Sequence, residues 1–220
     1  EGLTLAIEKQ TKNYDVRTQR GVLRLARAVL QTLEGADPVE ACKGAMDDFV
    51  RSCELRSESP IARIHRSNIL MFSARYARGK GKDPGALFKM AMEDLTVAIA
   101  FDPTASTAYH NRGIIQFYQG KEGHRDPVEC YRKALEDFTA AMQLEPTYAY
   151  IFKDLGVAKV ALAKELLARK EKVKILFEEA VTHLDEALRL QPSLAAAWYE
   201  RGHAHFALKQ FGEAIQDWER

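Results

Sequence analysis

Ala134-Leu-Glu-Asp-Phe-Thr-Ala-Ala-Met-Gln-Leu-Glu-Pro146 is the stretch that decides the fold. Ala134, Leu135, Phe138, Ala141, Met142 and Leu144 recur at intervals of three and four and mark one face, while Glu136, Asp137 and Gln143 mark the other. That is the period of an amphipathic helix. The small Ala134 and Ala141 let a neighbouring helix approach, and Pro146 cannot continue a helix and so marks its end. The phrase returns as Ala91-Met-Glu-Asp-Leu-Thr-Val-Ala-Ile-Ala-Phe-Asp-Pro103 and as Ala180-Val-Thr-His-Leu-Asp-Glu-Ala-Leu-Arg-Leu-Gln-Pro192. Together with Pro60, the closing prolines stand about 43 to 46 residues apart, inside the 20–50-residue periods of repeat arrays. An array offers a long surface rather than one deep pocket, which points away from catalysis.

Working outward, an Asp-Pro pair opens this helix at Asp37-Pro38, Asp83-Pro84 and Asp126-Pro127. Aspartate is a good N-cap and proline suits the first helical position. The unit that ends at Pro192 lacks the pair, and its helical Leu162–Lys174 stretch either runs on or turns without a clear stop. Each unit also has a first helix. Ala108-Tyr-His-Asn-Arg-Gly-Ile-Ile-Gln-Phe-Tyr118 is echoed by Ala197-Trp-Tyr-Glu-Arg-Gly-His-Ala-His-Phe-Ala207, and more faintly by Asp15–Leu25 and Ile64–Phe72. Glycine inside a helix costs about 1 kcal/mol against alanine. Its return at Gly21, Gly113, Gly156 and Gly202 therefore implies close helix–helix approach.

The 220 residues are 46% hydrophobic and 29% charged, ordinary for a soluble globular protein. A net charge of +1 gives no global pull toward nucleic acid or membrane, so electrostatic function must come from local clusters. Cys42, Cys53 and Cys130 are an odd number without metal or redox spacing and read as free thiols in a reducing, cytoplasmic setting. No apolar run approaches the roughly 18–20 residues that span a bilayer.

The chain resembles the tetratricopeptide repeat family. The residues that carry the resemblance are Trp198, Gly202, Ala214 and Trp218; Phe152, Leu155, Gly156, Ala180, Leu184, Ala187 and Pro192; and Tyr109, Gly113, Ala134, Phe138, Ala141 and Pro146. Ile64, Asn68, Ala91, Leu95, Ala98 and Pro103 match more weakly, and the first unit keeps Gly21, Ala45 and Phe49. The resemblance implies an all-α, right-handed superhelical solenoid of antiparallel helix pairs. One repeat domain is expected over 1–220, with a partial helix at 1–11 and repeats at about 14–57, 61–103, 106–146, 149–192 and 195–220. The family repeat is about 34 residues. All units but the last carry roughly 9–12 extra residues between the first-helix glycine and the second-helix alanine, by alignment with that motif. The extra residues lengthen the helices or the turn; the Gly-Lys-Gly near Lys80 is similar to Sel1-type repeats. Leu3-Thr-Leu-Ala-Ile7 matches Leu95-Thr-Val-Ala-Ile99, so the chain is expected to be a fragment of a longer protein with open ends that self-associate end to end.

No catalytic constellation stands out. His124-Arg-Asp126 lacks the downstream residues of a kinase catalytic loop, and Asp126 reads as a helix cap. Gly79-Lys-Gly-Lys82 lacks the spacing of a phosphate-binding loop and reads as a flexible basic turn. His203 and His205, two apart on a helix, diverge and make a poor metal pair. The Glu-Asp pairs at 93–94 and 136–137 read as a solvated face. We expect no enzyme activity, no metal and no cofactor.

The resemblance places a partner-binding groove on the first helices. Its expected residues are His65, His110, Lys153 and Tyr199; Arg66, Asn111, Asp154 and Glu200; Ile69, Ile114, Val157 and His203; and Phe72, Phe117, Val160 and Phe206. Aromatic anchors with polar neighbours suit a protein or peptide partner, although Phe72, Phe117 and Phe206 also suit packing between helices. The family's clamp for acidic chaperone tails is not expected, because its basic positions hold Tyr150 and Asp154 and only Asn111 fits. A second surface is a basic edge made by the turns: Arg78, Lys80, Lys82, Lys121, Arg125, Arg169, Lys170 and Lys172. A line of positive charge suits an acidic partner, acidic lipid or nucleic acid, but without interleaved aromatics nucleic acid is the weaker reading. The favoured expectation is a non-catalytic protein-interaction scaffold within a larger bacterial signalling protein; the alternatives are nucleic-acid or anion binding through the basic edge, and a regulatory segment of an enzyme whose catalytic domain lies outside this chain.

Overall fold

The computed structural model describes residues 14–122 and 126–220. The expected partial helix at 1–11 lies outside the described residues. Within them all regular structure is helical: α1 Tyr14–Leu33, α2 Val39–Leu55, α3 Pro60–Gly79, α4 Gly85–Phe101, α5 Ser106–Lys121, α6 Pro127–Leu144, α7 Ala149–Ala168, α8 Lys174–Leu190, α9 Ala195–Ala207 and α10 Phe211–Trp218. Odd-numbered helices are the first helices of each pair and even-numbered ones the second.

The chain divides into two compact units, Glu1–Asn111 and Arg112–Arg220. In the first, α1 packs on α2, α2 on α3, α3 on α4, and α1 also touches α3. Its core holds Ala45, Phe49 and Ile69, with Leu25, Met46 and Phe72 packed against them. In the second unit α6 packs on α7, α7 on α8, α8 on α9, α9 on α10, and α7 also touches α9. Its largest cluster joins Val128 and Tyr131 of α6, Val160, Leu162 and Leu166 of α7, and Phe177 and Ala180 of α8.

The extra residues lengthen helices rather than forming long loops. α1, α3 and α7 each have 20 residues, against 13 in α9. Four first helices, α1, α3, α7 and α9, are closed by one device. A residue with left-handed backbone follows the first helix: Gly35 (φ 76°), Gly81 (φ 72°), Lys170 (φ 63°) and Lys209 (φ 63°). The next N–H then reaches back to the last turn: Ala36 to Gln31 O at 2.7 Å, Lys82 to Ala77 O at 3.0 Å, Glu171 to Leu166 O at 3.0 Å and Gln210 to His205 O at 2.9 Å. This is a Schellman closure, which satisfies otherwise orphaned helix carbonyls. It ends α7 at Ala168, so the Leu162–Lys174 stretch turns rather than running on. It also makes the basic turn near Lys80 a defined cap.

The second helices α2, α4 and α6 start on the Asp-Pro pairs. Asp37 Oδ1 accepts from Val39 N–H at 3.0 Å, Asp83 Oδ1 from Gly85 N–H at 2.8 Å, and Asp126 Oδ1 from Val128 N–H at 3.3 Å. The recurrent glycines sit where the two helices of a pair touch. A methyl group on Gly21 would lie 2.6 Å from the Phe49 ring, and one on Gly113 would lie 2.6 Å from the Phe138 ring. Gly156 and Gly202 face Leu184 and Trp218 in the same way. The missing side chain admits the large one opposite.

Candidate functional site

The framework of the first-helix face is a set of buried ion pairs. Asp48, Asp94, Asp137 and Asp217 are 1%, 2%, 5% and 4% exposed. Each is held by an arginine of the first helix of its pair: Arg20, Arg66, Arg112 and Arg201. The separations in sequence are 28, 28, 25 and 16 residues. A carboxylate removed from water needs a charged, well-oriented partner, and the planar guanidinium fork supplies two donors at once. Asp94 and Asp137 are therefore not part of a solvated acidic face; only Glu93 and Glu136 beside them are exposed. The signal was present in the sequence. Arg-Gly recurs at 20–21, 112–113 and 201–202, and Asp followed by Phe, Leu or Trp recurs at 48–49, 94–95, 137–138 and 217–218. The fourth helix pair departs from the pattern, with Leu155 before Gly156 and His183 before Leu184.

These pairs correct the register of α3. Arg66 plays the part of Arg20 at the same separation, so Ser67, fully buried, stands where the others have glycine. Asn68 does not. Every position of α3 thus shifts by one. Ile69, expected to face a partner, is fully buried in the core, and Asn68 takes its place. There Asn68 Oδ1 accepts from Asn111 Nδ2 at 2.6 Å. Arg66 is committed to Asp94, whose hydrogen bond holds the guanidinium pKa above its ordinary value.

The other expected residues divide between core and surface. His65 is half-buried and stacks on the Phe49 ring, centroids 5.6 Å apart; burial lowers its pKa. Phe72 packs against the α2–α3 core and Phe117 against the α6–α8 core. Val160 is 1% exposed and is a core residue; His110 and Asn111 are 7% and 9% exposed. Ile114 and Val157 are half-buried. Lys153 pairs with Asp154 at 2.6 Å and lies 5.6 Å from the Tyr150 ring centroid. α9 carries the open part of the face. Tyr199 and Phe206 are 57% and 54% exposed, Glu200 and His203 half-buried. His203 stands edge-on between Tyr199 and Trp218, at 4.6 and 5.4 Å, and burial and the Lys164 charge lower its pKa.

Of the basic turn residues, Arg78, Lys80, Lys82, Lys121, Lys170 and Lys172 are exposed, and Arg125 lies outside the described residues. Arg169 is paired with Asp126 at 2.6 Å, so part of this charge is already neutralised. The cysteines are free, and burial pushes the Cys42 and Cys53 thiols up, away from the thiolate form a nucleophile needs. Among the described residues no three His, Cys, Asp or Glu are placed to hold a metal, and no helix is long and apolar enough to cross a membrane.

Paired helices of this kind, closed on glycine against a large side chain, carry a family signature. Residues 177–209 match the family model described as TPR repeat. That segment carries a tetratricopeptide-repeat signature. Solved structures of tetratricopeptide-repeat proteins share the fold of the chain. MamA matches with a TM-score of 0.60 at 15% identity, over 87% of this chain and 90% of MamA. YrrB, described as a TPR protein with an unusual peptide-binding site, matches with 0.59 at 16% identity, over 99% of this chain and 89% of YrrB. The Pseudomonas aeruginosa protein pilF matches with 0.62 at 16% identity, over 92% of this chain and 75% of its own. At such identities the likeness is one of fold. Comparison with curated protein sequences gives no match.

Proposed function

We propose that the chain is a non-catalytic protein-interaction scaffold that binds an extended peptide or protein segment on the face of its first helices. The observation that carries this reading is the aromatic face of α9. Tyr199 and Phe206, two turns apart, are more than half exposed, while the remainder of the helix is tied down by the Arg201–Asp217 pair and by Gly202 against Trp218. Large aromatics left in water on a rigid helix suit the anchor residues that dominate protein recognition. The peptide-binding site named for YrrB, a protein of the same fold, supports a peptide as the partner.

The test is a quantitative pull-down from cell lysate with the wild-type chain and with Tyr199→Ala/Phe206→Ala. His110 and Phe117 are unsuitable probes because both are packed inside. Circular dichroism checks that the variant folds. We expect a defined set of proteins held by the wild type and lost by the variant. The reading fails if the same proteins remain on the folded variant.

A further inference from the structure

The last turns of α1 and α3 flank an open cleft of about 560 Å³. Val29 of α1 and Phe72 of α3 give it an apolar floor, beside Tyr76. Arg75 and Lys80 give it a cationic rim, with Arg78 beside them, and among the described residues no acidic side chain lines it. Several arginines of the first helices are matched with carboxylates: Arg20 and Arg24 with Asp48, Arg63 and Arg66 with Asp94, Arg112 with Asp137, and Arg201 with Asp185 and Asp217. Arg75 is exposed and has no ion pair among the described residues. Lys80 lies 5.5 Å from the Tyr76 ring centroid, which holds its ammonium at the cleft without neutralising it. The nearby Asp37 accepts the α2 capping hydrogen bond from Val39.

From this charge imbalance over an apolar floor we infer that the α1–α3 cleft receives an acidic peptide segment. One large apolar side chain of the segment sits between Val29 and Phe72, and its carboxylates meet Arg75 and Lys80. The inference rests on the interaction-scaffold reading and names the chemistry of the partner. The floor supplies desolvated contact and the rim supplies orientation and rate of encounter. The cleft is separate from the family's clamp for acidic tails, whose basic positions here hold Tyr150 and Asp154.

The experiment selects random peptides displayed on phage against the wild-type chain. Binding of the selected peptides is then measured by fluorescence anisotropy at low and moderate salt. The same peptides are measured on Arg75→Glu/Lys80→Glu and on the milder Arg75→Gln/Lys80→Gln, each checked by circular dichroism. We expect peptides rich in Asp and Glu around one large apolar residue. Their affinity should fall about tenfold in the glutamine variant, further in the glutamate variant, and at moderate salt in the wild type. Selection of neutral or basic peptides, or acidic peptides indifferent to both variants, overturns the acidic partner and leaves the scaffold reading standing. Failure to select any peptide removes both. A labelled oligouridine that binds the wild type, is lost in the same variants and outcompetes the acidic peptides reassigns the cleft to a polyanion backbone and overturns the inference.

Discussion

Arg66 and Asp94 grip each other across α3 and α4, with Arg66 Nε 2.6 Å from Asp94 Oδ2 and Nη2 on Oδ1, while the carboxylate is 2% exposed. Such a pair adds little against a well-packed apolar replacement, but breaking it strands a buried charge. Arg66→Leu is expected to cost about 3 kcal/mol, with Arg63 at 3.5 Å offering partial relief. Arg66→Leu/Asp94→Leu should cost clearly less than the single change. Urea denaturation of the two variants decides it; equal or greater loss in the double would remove the stranded-charge account.

Gly113 and Phe138 make the second prediction. A methyl at Gly113 would meet the Phe138 ring at 2.6 Å, and that ring is 1% exposed with nowhere to move. Gly113→Ala is therefore expected to destabilise by about 1–3 kcal/mol. Adding Phe138→Leu should recover part of the loss, because the α3–α4 pair combines Ser67 with Leu95. Thermal melts of the single and double variants are the check.

The two lysines that close first helices are less suited to their backbone than the two glycines. Lys170 and Lys209 each hold φ at 63°. A left-handed conformation costs an L-residue roughly 1–2 kcal/mol. Lys170→Gly and Lys209→Gly should each raise stability by about 0.5–1 kcal/mol after the entropy that glycine adds to the unfolded chain. A fall in melting temperature for both would contradict the Schellman assignment.

Acidification should weaken the fold near neutrality. Burial lowers the pKa of His65 and His183, so the unfolded chain takes up their protons first. Stability is then full above the unfolded histidine value of about 6.5 and declines as pH falls from there toward the lower folded values. His65→Gln should flatten the slope of unfolding free energy between neutral and mildly acidic pH. An unchanged slope would show that His65 titrates alike in both states.

Much of this architecture is legible in the sequence. Helix pairs, capping by Asp37, Asp83 and Asp126, and close approach at the four glycines followed from local chemistry, because each depends on residues a few positions apart or on the absence of a side chain. The first-helix face was less legible. The α3 motif is degenerate, so Asn68 falls in line with the glycines in the sequence, and that one-residue slip would turn outward an Ile69 that the fold buries. Asp94 and Asp137 look solvated beside Glu93 and Glu136, since a helical face one residue wide separates a buried carboxylate from an exposed one.

The sequence by itself determined that this is an array of amphipathic helix pairs, because periodicity, caps and breakers are local and repeat. Only tertiary structure decided which arginines are committed to buried aspartates and which stand exposed. It also decided the α3 register and the α1–α3 cleft. Those outcomes depend on residues 28 positions apart meeting across a helix interface, where desolvation sets the cost of every unpaired charge.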